Sequence, residues 1–335
     1  MDQVKVTSPT RVDLAGGTLD LWPLYNFVGG ASTINVAIDI WTSCEIIKLK
    51  TREIRITSSD LNQTWSFNNT TELLASPIQA LDFYQSILRH FSDSIAQLPF
   101  GFELITSSQS PIGGGLGGSS SLVISVLKAL HQFFNLSLPD TNALVHLAHN
   151  IEAEMLQTPT GKQDYFPAVT GGISVIDFNA QGVKQTIQTV EGTPLKDHFL
   201  LVYTGRSHHS GLNNFEVFKS AVKGDPKVMD ALKKIRDIAN QLKQVMVDQR
   251  WSELPELFRQ EYDARIQLTP AFTSPEIEKL HDIGLKAGAT AVKICGAGGG
   301  GCVLVWVAPE NRQRVIDACV AADFKCLPAK PVEPL

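Results

Sequence analysis

Residues 111–122 read PIGGGLGGSSSL, with five glycines and three serines in one short stretch. Backbone N–H groups gathered at the start of a helix bind anions, because glycine permits close approach and the helix dipole favours negative charge. Serine hydroxyls at such a turn add a hard oxygen ligand for a phosphate-bound Mg²⁺. The predicted chemistry is therefore the cradling of a nucleoside triphosphate with its metal. The same loop matches the dinucleotide fingerprint G-x-G-x-x-G at Gly113, Gly115 and Gly118, and a second run, GAGGGG, matches it at Gly296, Gly298 and Gly301. A dinucleotide site also needs a helix after the loop and, about twenty residues on, an acid at the end of the next strand. After the first run the nearest acid, Asp140, stands at a helix start, and the second run leads into the strand-like CVLVWV. The pair Gly161-Lys162 is followed by Gln163, which excludes a P-loop there.

The first glycine loop lies between elements able to hold it. Before it, PFGFELITSS reads as extended; after it, SSSLVISVLKALHQFF places Leu122, Val126, Leu127, Leu130 and Phe134 on one helical face, with serines where capping hydroxyls are favoured. Upstream, QVKVTS, ASTINVAIDIWTSCEIIKLK and REIRITSS read as strands, and ELLASPIQALDFYQSILRHF has helical spacing with Leu81, Tyr84, Ile87, Leu88 and Phe91 on one stripe. Downstream come a helix over Thr141–Leu156, the turn-rich QTPTGKQDYFPAVTGG and the strand GISVIDF. The polar NAQGVKQTIQTVEGTPLKD marks a soft boundary near residues 185–195, dividing the chain into domains 1–190 and 191–335. Beyond it FLLVYTG is a strand, residues 212–290 are helical, and AVKICGAGGGGCVLVWVAP and NRQRVIDACVAADF close the pattern. Periodicity alone predicts a mixed α/β chain.

The 335 residues carry a net charge of −5 and 43% hydrophobic residues, which suits a folded chain with no general attraction for nucleic acid or an anionic membrane. The N-terminal MDQVKVTSPTRVDLAGG lacks a secretory pattern, and no apolar run is long enough to span a bilayer, so a cytoplasmic location is expected. Five scattered cysteines, Cys44, Cys295, Cys302, Cys319 and Cys326, lack metal or redox spacing and read as idle thiols. His208 and His209 in TGRSHHSG read as a polar loop, with Arg206 beside them within reach of an anionic substrate.

Three ordered stretches, SPTRVDLAGGTLD, PIGGGLGGSSS and KICGAGGGGCVL, together resemble the three motifs of the GHMP kinase superfamily, named for galactokinase, homoserine kinase, mevalonate kinase and phosphomevalonate kinase. The resemblance implies an α+β, two-domain fold, with an N-terminal half like ribosomal protein S5 domain 2 and a ferredoxin-like C-terminal half. It implies ATP-dependent phosphoryl transfer to a hydroxyl of a small molecule. IEAEMLQTPTGKQDYFPAVTGGISVIDF resembles the segment carrying the family's magnesium glutamate and catalytic aspartate, which here are Glu152 and Asp164. By the same likeness Arg11 stabilises the transferring group, and Pro111, Gly113, Gly114, Gly115, Leu116, Gly117, Gly118, Ser119 and Ser120 hold ATP. Ser119, with Ser120 in reserve, joins Glu152 on Mg²⁺, since Gly118 stands where many relatives have serine. Asp20, Gly17, Lys162, Gly298 and Gly299 face the acceptor, with Asp13 and Thr18 weaker candidates, and Gly296 to Gly300 form the opposite wall. AGGTLD and GKQD are similar to sugar and sugar-phosphate kinases of the heptose 7-phosphate type, whereas Gly17 and Thr18 replace the Glu-His of galactokinases. The expected partners are ATP and a sugar or sugar phosphate, with a homodimer left open. A mevalonate-pathway kinase or decarboxylase, or a non-catalytic ATP and sugar sensor, is the alternative.

Overall fold

The computed structural model describes residues 2–207 and 210–335, and among these the strands form two sheets. The first contains β1 (Gln3–Ala15), β2 (Ala31–Lys48), β3 (Ile54–Ser58), β4 (Gln63–Phe67), β5 (Phe102–Ser108), β6 (Ile173–Asn179) and β7 (Gly182–Gln188), in the order β4-β3-β5-β2-β6-β7 with β1 on the other edge of β2. At 18 residues β2 is long enough to serve two neighbours on one edge. Thr42–Lys48 pairs with β5 and Ala31–Val36 with β6, while β1 runs antiparallel along the opposite edge.

β1 extends well past QVKVTS. A register shift between Pro9 and Thr10 accommodates a residue that has no N–H to give to the ladder. The strand thus carries TRVD in extended form, and its period of two sets Arg11 and Asp13 on one face.

The first glycine loop leads into the helix Gly118–Phe133 as the spacing predicts, but its serines do not cap it. The N-cap is Gly117, at φ 68°, a left-handed conformation that glycine adopts without a Cβ penalty. Ser121 Oγ instead donates within 3.1 Å of the Ser8 carbonyl and 2.9 Å of the Pro9 carbonyl, docking the helix on β1. Val123, Ile124 and Phe133 are buried along with the predicted Val126, Leu127 and Leu130, so this helix is covered on more than one face. Leu122 and Phe134 are only half-buried.

The predicted helix over residues 72–91 is interrupted. Thr70–Ala75 ends before Pro77, because proline holds the preceding Ser76 extended, at ψ 132°, and helical turns resume only at Gln79. The stripe is nevertheless read correctly, since Leu81, Tyr84, Ile87, Leu88 and Phe91 are all buried. β7 lies inside the polar stretch used for the domain boundary. As an edge strand it alternates between half-buried and exposed positions, and its composition hides it.

The second sheet contains β8 (Phe199–Tyr203), β9 (Ala291–Ile294), β10 (Cys302–Trp306) and β11 (Lys325–Leu327), in the antiparallel order β11-β8-β10-β9. Helices connect β8 to β9 and β10 to β11, which is the ferredoxin-like arrangement. The two sheets share a core: Leu232, Ile235 and Leu242 of the helix Pro226–Val247 join Val12, Ile34 and Val36 of the first sheet and Leu201 and Leu304 of the second in one apolar cluster. The C-terminal residues return to the first half of the chain, where Val332 N donates to Ala37 O of β2 (2.9 Å) and Leu335 N to Thr170 O at the end of the helix Tyr165–Thr170 (2.8 Å). Among the described residues no helix is long and apolar enough to cross a membrane.

Candidate active site

A cleft of about 600 Å³ opens where the two halves meet. Its walls are the first glycine loop, the turn before Asp164, the turn carrying Thr18, Asp20 and Leu21, and Gly296 and Ala297 of the second glycine run. This volume lies in the range that takes a small organic ligand, about 300–1,000 Å³.

The two glycine runs meet backbone to backbone. A Cβ on Gly296 would lie 2.9 Å from Gly115 Cα, and Cys302 N donates to Gly114 O at 2.7 Å. Only residues without side chains allow this approach. The second run therefore supports the first and contributes its leading residues to the cleft. Gly298 and Gly299 do not line it: Gly299 N donates to Phe272 O at 3.1 Å, and a Cβ on Gly298 would collide with the same carbonyl. Of the expected wall from Gly296 to Gly300, Gly296 and Ala297 line the cleft.

Arg11 and Asp164 form an ion pair at the floor. Arg11 Nε donates to Asp164 Oδ1 at 2.8 Å and Nη2 lies 2.6 Å from the same oxygen. Nη1 donates to Gly115 O (2.6 Å) and Cys295 O (3.2 Å), so one guanidinium ties together both glycine runs and the carboxylate. Burial opposes the Arg11 charge, but Asp164 and Asp13 outweigh it and raise its pKa. The Arg11 side chain is 5% exposed and that of Asp164 24%, so the carboxylate is the partner a ligand can reach. Its Oδ2 is not taken by Arg11 and lies beside Gly117, the helix N-cap.

Glu152, on the helix Thr141–Leu156, reaches the same cleft almost fully buried. Its Oε2 accepts from Ser120 Oγ at 2.7 Å and from the Tyr165 hydroxyl. Burial pushes its pKa up, against hydrogen bonds from Ser119, Tyr165 and Ser120 that pull it down. Ser120, the reserve candidate, thus joins Ser119 on Glu152; Ser120 is buried and Ser119 the more exposed, and both border the cleft. Among the described residues no group of three or more His, Cys, Asp or Glu is placed to hold a metal. One carboxylate with adjacent hydroxyls still fits Mg²⁺, which is commonly held by one or two carboxylates and completes its shell with substrate phosphates and water.

At the other end of the cleft Asp20 is buried, and its Oδ2 accepts from Gln163 N at 3.0 Å. Burial, with the Asp164 charge adding to it, raises its pKa to about 6. Thr18 is buried beside it at φ 78°, a costly conformation for a β-branched residue, and its hydroxyl faces Asn214 Oδ1 at 3.4 Å. Strain of this kind concentrates at ligand sites. Gly17 lies behind the wall, against Asp13 and Arg265. Lys162 turns away, with Nζ 3.4 Å from His146 Nδ1, and does not line the cleft. Arg206 pairs with Glu276 at 3.3 Å outside it. His208 and His209 lie outside the described residues.

Pro111 through Ser120 all line the cleft. Sequence reasoning did not find Gln163, Asn214 or Arg265, nor the wall of Asp60, Leu61 and Phe83 beyond the glycine loop. Gln163 lies within GKQD, and that motif is its signal; Asn214 and Arg265 sit on helices whose spacing gives none. Burial raises the Cys295 pKa to about 12 and also raises that of Cys302, which argues for inert thiols beside the second run.

Residues 81–172 match the family description "GHMP kinases N terminal domain", and residues 228–326 match "GHMP kinases C terminal". The chain belongs to the GHMP kinase family. As a GHMP kinase it is 27% identical over 326 residues to D-glycero-alpha-D-manno-heptose 7-phosphate kinase of Campylobacter jejuni, covering 95% of this chain and 93% of that protein. It is likewise 27% identical to the mevalonate kinase of Methanocaldococcus jannaschii, covering 93% and 94%. Among solved structures, a putative sugar kinase from Campylobacter jejuni superposes with a TM-score of 0.81 at 25% identity, over 100% of this chain and 97% of that one. The two-domain GHMP kinase fold is also shared with the Methanococcus jannaschii mevalonate kinase, at a TM-score of 0.77 over 98% of both chains.

Proposed function

We propose that this GHMP kinase transfers the γ-phosphoryl group of ATP to a hydroxyl of a sugar or sugar phosphate. The observation that carries the reading is the Arg11–Asp164 pair, set beside Gly117 at a glycine-rich helix start whose Ser120 donates to Glu152. The backbone N–H groups from Gly113 to Ser120, apart from that of Gly114, which donates to Pro111 O, bind the phosphates, and the helix dipole adds to the attraction. Glu152 and Ser120, with Ser119 beside them, would hold Mg²⁺, which supplies charge neutralisation on the phosphate oxygens.

Asp164 Oδ2 receives the proton of the acceptor hydroxyl as that oxygen bonds the γ-phosphorus; the bond to the bridging oxygen breaks, and ADP leaves with the electron pair. Arg11 holds Oδ1 and so orients the carboxylate. Asp20, Gln163, Asn214 and Thr18 offer hydroxyl-binding atoms at the acceptor end, which suits a polyol. The heptose 7-phosphate kinase relative supports a sugar phosphate acceptor, and the mevalonate kinase relative keeps mevalonate as the competing one. The five unpaired cysteines accord with a cytoplasmic setting. Measuring ADP release against heptose 7-phosphate, free sugars and mevalonate tests the reading. Turnover on a sugar or sugar phosphate is expected; turnover on mevalonate alone, or on no acceptor, overturns it.

A further inference from the structure

Behind the second glycine run four charged side chains are packed out of reach of water. Asp13 comes from β1, Glu261 and Arg265 from the helix Leu254–Arg265, and Lys293 from β9, each at most 1% exposed. Arg265 Nη2 lies 2.7 Å from Asp13 Oδ2 and 2.6 Å from Glu261 Oε1. Lys293 Nζ is 3.4 Å from Asp13 Oδ2 and 3.1 Å from Glu261 Oε2. Two acids face two bases, so the charges balance. Such a cluster is a poor source of stability, because desolvation consumes most of the attraction. What it does here is fix geometry across the two halves of the chain.

The geometry it fixes leads to the reacting groups. Arg265 Nη1 donates to Gly296 O at 2.9 Å, and the preceding carbonyl, Cys295 O, accepts from Arg11 Nη1. Two consecutive carbonyls of the second glycine run are therefore held by two arginines. The carboxylate partner of Arg11 is Asp164, and those of Arg265 are Glu261 and Asp13, the latter two residues along β1 from Arg11. Gly296 is wedged against Gly115 with no space for a side chain, so a shift of this backbone moves both carbonyl acceptors of Arg11 Nη1.

We propose that Arg265 is a positioning residue for Asp164, acting through the Cys295–Gly296 backbone and the Arg11 guanidinium. The proposal rests on the reading of Asp164 as proton acceptor. A small displacement of a reacting group can cost about 10²-fold in rate. Arg265→Gln is accordingly expected to lower kcat by roughly 10–100-fold while leaving the KM for ATP within about threefold.

The decisive experiment is a double-mutant cycle read by single-turnover ADP formation. Arg265→Gln is introduced into the wild type and into Asp164→Asn. If Arg265 acts through Asp164, the loss seen in the wild type shrinks to less than about twofold in the Asp164→Asn background. An equal loss in both backgrounds, or an unchanged wild-type kcat, overturns the proposal. Should Arg265→Gln unfold the protein, Asp13→Asn with Arg265→Gln removes one charge of each sign and the same cycle is run on that pair. It still lacks the bond to Gly296 O, so the same background-dependent loss is expected. If Asp164→Asn alone retains full turnover, the reading of Asp164 fails on its own account, separately from Arg265.

Discussion

Replacing Asp20 by asparagine should make the protein more stable at neutral pH while weakening its hold on the acceptor. Burial and the neighbouring Asp164 charge raise the Asp20 pKa from 3.8 to about 6. A folded-state pKa above the unfolded one contributes stability that is complete below the unfolded value and is lost as pH rises through the folded value. For Asp20 that window runs from about pH 4 to about pH 7. A shift of this size corresponds to about 3 kcal/mol at neutral pH, of which roughly 1–2 kcal/mol is lost between about pH 5 and about pH 7.5. Asparagine removes the titration. Its carbonyl can accept from Gln163 N as Oδ2 does, and once the Gln163 carboxamide, whose Nε2 now donates to Asp20 Oδ1 at 3.4 Å, turns over, its amide can donate to Gln163 Oε1, a buried atom without a hydrogen-bond partner among the described residues. Urea unfolding of wild type and Asp20→Asn at the two pH values measures the effect: the stability gap should widen in favour of the mutant by roughly 1–2 kcal/mol at the higher pH. An equal gap at both pH values refutes the reasoning. Kinetically the mutant should show a raised acceptor KM, the usual exchange of stability for function at a binding site.

Glu152→Gln should fold normally and require more Mg²⁺, while in the wild type the requirement should rise as pH falls, because the raised Glu152 pKa lets protons compete with the metal; Mg²⁺ titrations at two pH values check both. Gly117→Ala should cost roughly 10–100-fold in kcat, since its Cβ would lie 3.1 Å from the Asp164 side chain at a positive φ. A wild-type kcat for that variant removes Gly117 from the positioning of Asp164. Lys162→Ala should change the acceptor KM by less than about threefold, because its ammonium faces His146 rather than the cleft. A tenfold rise in KM would place Lys162 on the substrate.

Much of the site was legible because its chemistry is carried by backbone. Runs of glycine after a strand and before an amphipathic helix have few other uses, and the first run lines the cleft from Gly113 to Gly118. Arg11, Glu152, Asp164 and Asp20 were legible from the motifs around them, and all four line the same cleft. What was not legible depends on packing between elements far apart in the chain. Ser120 as well as Ser119 meets Glu152, because the helix begins at Gly118 after a left-handed Gly117, which sets the direction of each serine. Lys162 stands two residues from Asp164, yet it belongs to the outer side of the turn. Arg265 has only Glu261, one turn back on its own helix, as a local partner, and its ties to Asp13 and Gly296 join distant parts of the sequence. In the fold, β7 and the break at Pro77 were lost to polar composition and to a convincing apolar stripe respectively.

The central claim is that the acceptor hydroxyl loses its proton to Asp164 during ATP-dependent phosphoryl transfer. Coupled ADP release by wild type and Asp164→Ala, on the acceptor that gives the highest wild-type turnover among heptose 7-phosphate, free sugars and mevalonate, tests it most directly. The account predicts a sugar or sugar phosphate as that acceptor and a fall of about 10²–10⁴-fold in kcat for the variant, with ATP binding retained. Turnover by Asp164→Ala equal to that of the wild type would contradict it.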